Sequence, residues 1–264
     1  TGKDWSEKIW IFNRRLAERL EQSHPGRQVV MMSYILTANP PKTFKKFPAN
    51  TCIMLTGTNE EDFAPWRGVE VPRGFTGYVY NWCPNLATRY TPMRTPGYVE
   101  AQAKRLVANK IQSIYRDGNG LLFGLEGPVY YVMGRMFDDP ERNSAKELLP
   151  EFCDAAFGRA ALPMRSFYDQ LYHAINLYSD HIGTRNDAWV YHTTDGRRRK
   201  TVTDPFQFIA FLYPPNVLAA LDADLAQAEK LADSPKVKTR LALVRTEFEW
   251  IRHLSRVVHF YHAF

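Results

Sequence analysis

Cysteine is scarce in this sequence, and its spacing excludes the sites that cysteine most often builds. Cys52, Cys83 and Cys153 are odd in number and widely separated, with no CxxC pair. This pattern argues against a disulfide framework and against a structural zinc site. The seven histidines show neither an HxH nor an HExxH spacing, which disfavours a catalytic metal. We therefore predict neither a metal nor a cofactor.

Long apolar runs and concentrated positive charge are also missing. No apolar stretch reaches the length of a membrane span. The net charge is +6, but the basic residues are dispersed except at 197–200, directly after the Asp195-Gly196 turn signal. We interpret this run as a solvated hairpin or loop tip, because no nucleic-acid signature accompanies it. The sequence thus predicts no membrane span and no nucleic-acid partner.

Aromatic residues, in contrast, are abundant at 14% of the chain. Aromatic side chains line the clefts that bind sugars and nucleobases, and they also fill ordinary hydrophobic cores. Composition alone leaves both interpretations open.

The first half of the chain alternates between strand and helix patterns. Short apolar runs at 28–35, 51–57, 75–82 and 111–115 predict strands, and 98–109 predicts a helix. Strands that are apolar on both faces and separated by helices or long loops are typical of a parallel sheet. A first helix precedes them, with Ile9, Phe12, Leu16 and Leu20 on one face.

From Pro128 onward the apolar spacing changes to that of helices. Pro128 suits the first turn of a helix, and Ser144 with Glu147 forms a capping box for the next one. The last two patterns, which begin near Pro215 and Lys236, predict an antiparallel helical hairpin.

Polar and aromatic residues follow the predicted strands, where parallel sheets carry their working groups. A tyrosine or tryptophan face can stack on a sugar ring, an asparagine can bond its hydroxyls, and an arginine fork can pair with a sugar carboxylate. Packing in the core or a structural salt bridge remains the alternative. The candidate substrate contacts are Tyr34, Tyr80, Asn81, Trp82 and Arg116.

Two carboxylates are the candidates for catalysis. Glu126 stands between Gly124 and the Gly127-Pro128 pair at the start of a predicted helix, as an active-site group or as a helix-start device. Asp117 follows the fourth strand, where it is either a catalytic group or part of an Asp-Gly turn. The acidic residues at 60–62 are a third possibility beside their interpretation as a solvated loop.

The order of these segments resembles a known family. The run GLEGPVYYVMGRMFDDP at 124–140, the step FGRAA at 157–161 and the helical segment 212–232 are similar to the bacterial glycoside-hydrolase-like family catalogued as domain of unknown function 4838. That family is distantly similar to family 67 alpha-glucuronidases. The residues that match its helix after the last barrel strand are Tyr131, Val132, Arg135, Met136, Asp139 and Pro140.

The resemblance implies an α/β fold: the second half of a TIM-type (β/α)8 barrel over 1–127, followed by an all-α helical domain over 128–264. A complete barrel needs about 250 residues and only about 125 precede the helical part, so we expect a piece of a longer protein. The resemblance also implies a secreted or periplasmic location.

The expected function is carbohydrate-active. The resemblance implies a glycoside hydrolase-like protein that acts on a polysaccharide or glycoside by carboxylate acid/base chemistry, with a carbohydrate substrate as its partner. The alternatives are a noncatalytic carbohydrate-binding relative and a helical interaction module on a degenerate barrel. The oligomeric state is left open.

Overall fold

The computed structural model describes residues 2–80, 91–92, 94–117, 122–176, 190–192, 198–200 and 205–263, of which 80, 190–192, 198–200 and 205–208 are described by their backbone. The chain divides into two compact units. We call Thr1–Tyr80 with Lys104–Asp117 the sheet unit, and Asn81–Ala103 with Gly118–Phe264 the helical unit. The domain boundary expected after residue 127 stays a prediction.

The sheet unit is built on four parallel strands that lie side by side in chain order. This arrangement confirms the predicted parallel sheet, in which β1 and β4 form the two edges of the described strands. The elements are α1 (Trp5–Ser23), β1 (Val29–Ser33), β2 (Thr51–Leu55), α2 (Glu60–Phe63), β3 (Phe75–Tyr80), α3 (Pro96–Ala108) and β4 (Ile111–Asp117).

One face of the sheet packs against helices. Gly77 of β3 faces α3, since a Cβ built there would lie 3.6 Å from Leu106 Cδ2. Val79, two residues further along β3, is fully buried. The neighbouring residue Tyr78 belongs to the opposite face, because side chains alternate along a strand.

The buried face of α1 is not its predicted apolar face. Phe12 and Leu16 are more than half exposed, whereas Glu7, Trp10 and Ala17 are buried. Hydrogen bonds explain the difference: Trp10 Nε1 donates to a backbone carbonyl at 2.8 Å, and the Ala17 carbonyl accepts from an asparagine side chain at 3.0 Å. Specific polar contacts therefore orient this helix, rather than its apolar stripe.

The helical unit confirms the predicted change of pattern. Its core joins the start of α4 to the later helices, because Leu125 and Val129 pack in one cluster with Phe167, Tyr168 and Phe248. The elements are α4 (Gly127–Asp138), α5 (Ala145–Phe157), α6 (Ala161–Asn176), β5 (Val190–His192), β6 (Arg198–Lys200), α7 (Pro205–Leu212), α8 (Pro215–Leu231) and α9 (Pro235–Ala263).

Two smaller expectations are met in this unit. The strands β5 and β6 pair antiparallel, so part of the basic run at 197–200 does lie in a hairpin. The helices α8 and α9 pack together, with Arg245 of α9 bonded to Glu229 of α8 at 2.8 Å. Across the described residues, every helix falls short of the combined length and apolarity that a membrane crossing requires.

Candidate functional site

The carboxyl end of the sheet places several of the predicted site residues. Arg116 and Asp117 are the last residues of β4, and the backbone of Tyr80 pairs with Asp117 across the sheet. Tyr34 directly follows β1 and is 44% exposed. The predicted residues Asn81 and Trp82 lie outside the described residues. Tyr80, Arg116 and Asp117 thus come from the adjacent strands β3 and β4. Tyr34 follows β1, which is two strands from β3 and three from β4.

The sheet unit contains a stacked pair of tyrosines that the sequence did not predict. Tyr78 and Tyr115 are register partners on β3 and β4, and their rings stack with centroids 4.9 Å apart and planes inclined by 30°. Tyr115 is 55% exposed. The signal was the period of two along β4, which puts Tyr115 on the same face as Asp117.

The acidic residues at 60–62 do not form a solvated loop. They make the first turn of α2, where acidic side chains favour the helix dipole. Glu60 pairs with Arg67 at 2.6 Å and accepts a hydrogen bond from Asn109 at 2.8 Å. Its contacts are those of a surface structural residue, so we assign this cluster no part in the site.

Glu126 occupies the N-cap position of α4 and is only 5% exposed. Its side chain makes no capping hydrogen bond to the first turn of α4, all of whose residues are described. The helix-start interpretation therefore lacks its usual contact. Burial raises the pKa values of Tyr172 and Tyr213, and the Glu126 carboxylate adds a smaller contribution to each rise.

Four hydrogen bonds fix the residues just before Glu126, in what we call the GLEG turn (residues 124–127). The hydroxyl of Tyr168 donates to the Gly124 carbonyl at 2.6 Å, and that of Tyr172 donates to the Leu125 carbonyl at 2.7 Å. The two backbone N–H groups of Gly124 and Leu125 donate to the two oxygens of Glu247, at 3.0 and 2.8 Å. The turn is thereby held rigid ahead of the Glu126 carboxylate.

Glu247 is a second residue that sequence reasoning missed. It lies in the middle of α9 and had no local signal, since its partners are more than 120 residues away in the chain. Burial raises the pKa of its carboxyl, and the hydrogen bonds from Gly124 and Leu125 offset part of that rise. The residue is thus held in a partly desolvated position by its contact with the turn.

We expect Glu247→Ala to lower the free energy of unfolding by about 2 kcal/mol, because two N–H donors lose their acceptor. Hydrogen exchange should report the change directly, with the amides of Gly124 and Leu125 exchanging faster. Thr246→Ala, an exposed neighbour on the same helix, is the control and should leave those two amides unaffected. Unchanged protection in Glu247→Ala would contradict the assigned contact.

A surface groove of about 360 Å³ lies elsewhere in the sheet unit. It is lined by the end of α1 and by residues 44–49, which precede β2, so it lies toward the amino ends of the strands. Several of its charged groups are paired, Arg14 with Glu18 at 2.9 Å and Lys46 with Glu70 at 2.8 Å. Functional sites of parallel α/β sheets lie at the opposite, carboxyl ends, and we do not assign the groove to the site.

The two candidate carboxylates belong to different units. Glu126 is part of the helical unit and Asp117 part of the sheet unit, and each is described within its own unit. Their expected action as a pair stays a prediction. Among the described residues, no group of histidine, cysteine, aspartate and glutamate side chains is arranged to hold a metal ion.

Comparison with known proteins identifies a family. A sequence profile of the family described as "Domain of unknown function (DUF4838)" matches residues 1–169. This span covers more than half of the 264 residues, including the four strands of the sheet unit and the GLEG turn. No curated protein matches the chain. The chain therefore belongs to this family, and the resemblance to DUF4838 noted in the sequence is confirmed over residues 1–169.

Proposed function

We propose that this chain, which belongs to the DUF4838 family, is a carbohydrate-active protein of the glycoside-hydrolase-like kind. The observation that carries the proposal is the stacked Tyr78 and Tyr115 pair, in which the ring of Tyr115 is exposed beside the carboxyl end of β4. An exposed aromatic ring on the same face of β4 as Asp117 combines two of the groups that hold a sugar: a stacking surface and a hydrogen-bond acceptor.

As part of the proposal, the four strands form the second half of a (β/α)8 barrel. The sequential parallel order supports it, because a doubly wound sheet reverses its strand order and a barrel does not. Exposed apolar residues at the β1 side support it as well: Phe12 and Leu16 on α1, and Val30 and Met32 on β1. A sheet face and a helix surface that are apolar in this way are normally covered by further strands or helices.

The sugar-binding chemistry follows from the side chains at the end of β4. The ring of Tyr115 offers a flat apolar surface to the C–H face of a pyranose. Alternation along β4 puts Arg116 on the opposite face from Tyr115, so its guanidinium would reach the same sugar only past the end of the strand. There its planar fork would suit a carboxylate-bearing sugar such as a uronic acid, with which it can form two parallel hydrogen bonds. Asp117 would accept hydrogen bonds from sugar hydroxyls.

Hydrolysis requires two carboxyl groups about 5–10 Å apart, on either side of the scissile bond. The sequence predicts these roles for Glu126 and Asp117, and each stays a prediction within its own unit. The support for Glu126 is the rigid GLEG turn, because a catalytic group must be held within a fraction of an ångström of its working position.

A noncatalytic carbohydrate-binding protein is the second candidate. The 5% exposure of Glu126 favours it, since a carboxylate enclosed with buried tyrosines can serve packing rather than proton transfer. In that case the aromatic surface would bind sugar and Glu126 would only shape the turn.

The binding test uses Tyr115→Ala on a panel of oligosaccharides that includes uronic acid sugars. Loss of one stacking face should weaken binding about tenfold, which corresponds to roughly 1.4 kcal/mol. Phe12→Ala removes an equally exposed aromatic side chain from α1 of the same unit and should leave binding unchanged. Equal affinities for wild type and Tyr115→Ala would remove this tyrosine pair from the site.

A parallel hydrolysis assay with aryl glycosides separates the two candidates. Cleavage that falls at least 100-fold in Glu126→Gln and in Asp117→Asn, with binding retained, would support the hydrolase. Sugar binding by the wild type without any cleavage would instead support the noncatalytic protein.

A further inference from the structure

The last helix carries an apolar stripe on its outer side. Val257 is 61% exposed, and Leu243, Trp250 and Phe260 are also close to half exposed or more. Together with two polar residues they recur at alternating steps of three and four. The stripe consists of Leu243, Thr246, Trp250, His253, Val257 and Phe260, and we call it the α9 seam.

The opposite side of α9 is already used by the core. Val244, Phe248, Ile251 and Val258 are buried against the other helices of the unit. At about 100° per residue, the α9 seam points away from this buried face. A helix that is apolar on two sides buries both, and a 3-4 spacing along the second side is the pattern of a coiled-coil seam.

We propose that the α9 seam binds the α9 seam of a second copy of this chain, in antiparallel orientation. Antiparallel pairing makes complementary layers, with Leu243 against Phe260 and Thr246 against Val257 of the second copy. Trp250 then packs beside His253 of the second copy. The twofold symmetry of the dimer produces each of these contacts twice.

Charge complementarity favours a second copy of this chain as the partner, and it favours the antiparallel over the parallel orientation. Glu249 and Arg256 flank the seam on the same side, one heptad apart. In an antiparallel pair each Glu249 faces Arg256 of the second copy, which gives two opposite-charge contacts. A parallel pair would instead place Glu249 against Leu254 and Arg256 against Tyr261, with no charge contact.

Glu249, at the edge of the α9 seam, is positioned by ion pairs on its own helix. Arg252 pairs with it at 2.6 Å and Arg245 at 3.6 Å on the same helix, and Arg245 is itself fixed by Glu229 of α8. The seam is about 26 Å long, or about five helical turns. This is short for a coiled coil, and we expect a reversible dimer with a dissociation constant in the micromolar range.

Sedimentation velocity of the whole 264-residue chain from about 1 to 200 µM tests the proposal. Val257→Glu and Arg256→Glu should each weaken the dimer at least tenfold, because the first puts a charge in the seam and the second faces Glu249 with a like charge. Leu162→Ser, which removes an exposed apolar side chain from α6, is the matched control and should not change the dimer. Thermal unfolding by circular dichroism verifies that each variant is folded.

Orientation is tested by cysteine pairs under mild oxidation. The double variant Thr246→Cys, Val257→Cys should form disulfide-linked dimers. Thr246→Cys alone should form no more linked dimer than the unsubstituted chain, because the two introduced cysteines lie about 16 Å apart in the antiparallel pair. A chain that stays monomeric throughout, a dimer that survives Val257→Glu, or efficient linkage of Thr246→Cys alone would each overturn the proposal.

Discussion

Replacing Gly124 with alanine is expected to destabilise the helical unit by about 3 kcal/mol. A Cβ at this position would lie 2.9 Å from both the N and Cα atoms of Val244 and 3.0 Å from an oxygen of Glu247. The obstacle is the backbone of α9, which cannot rotate away as a side chain can. The helix must move off the turn, which also stretches the hydrogen bonds from Gly124 and Leu125 to Glu247.

Chemical denaturation measures this effect, and the chain offers a matched control. Gly134 lies in the middle of α4, where a Cβ would meet nothing within 4 Å. Gly134→Ala should raise the free energy of unfolding by about 0.5–1 kcal/mol, since alanine is the better helix former. If Gly124→Ala and Gly134→Ala changed the free energy of unfolding by the same amount, the close approach of α9 to the GLEG turn would be refuted.

Glu7→Ala should remove about 3 kcal/mol from the stability of the sheet unit. The carboxylate is 3% exposed and accepts the backbone N–H groups of Lys42 at 2.6 Å and Thr43 at 3.1 Å, along with the Thr43 hydroxyl. Truncation leaves three donors without an acceptor and opens a void. Glu18→Ala, which breaks only the surface pair with Arg14, is the control and should cost no more than about 0.5 kcal/mol.

The effect of Glu7 should depend on pH. Burial alone would raise the pKa of this carboxyl, but hydrogen bonds from Thr43 and Lys42 outweigh burial and lower it below its usual value of 4.5. A carboxyl with a lowered folded-state pKa stabilises the fold above its unfolded value and loses that contribution as the pH falls through the folded value. The stability gap between wild type and Glu7→Gln should therefore narrow below pH 4.5, and a gap constant from pH 7 to pH 3 would contradict this assignment.

The strands of the sheet unit could be predicted because their residues are locally consistent. Runs such as TCIML at 51–55 are apolar on both faces, and that property is sufficient to predict a buried parallel strand. The change to helices after Pro128 could be predicted for the same reason, from spacing and caps. Such signals lie within ten to fifteen neighbouring residues.

The features that were missed depend on partners far away in the chain. Glu7 is buried where it meets Lys42 and Thr43, and with Trp10 and Ala17 it forms the buried side of α1. The period of two along β4 indicates the face of Tyr115, but its pairing with Tyr78 depends on a register irregularity between Phe75 and Gly77 that the sequence does not reveal. In the candidate site, Glu126 and Asp117 were recognisable as residues, but the anchor of the turn was not.

The hydrogen bonds between the GLEG turn and Glu247 can form only late in the synthesis of the chain. The turn and its carboxylate partner are separated by 123 residues. At about 5–20 residues per second, translation leaves the turn without that partner for roughly 6–25 s. Glu247 lies in α9, the last of the described helices, so it is translated after the turn and after α6. Until α9 has been translated, the hydroxyls of Tyr168 and Tyr172 are the supports of the turn that the chain already contains.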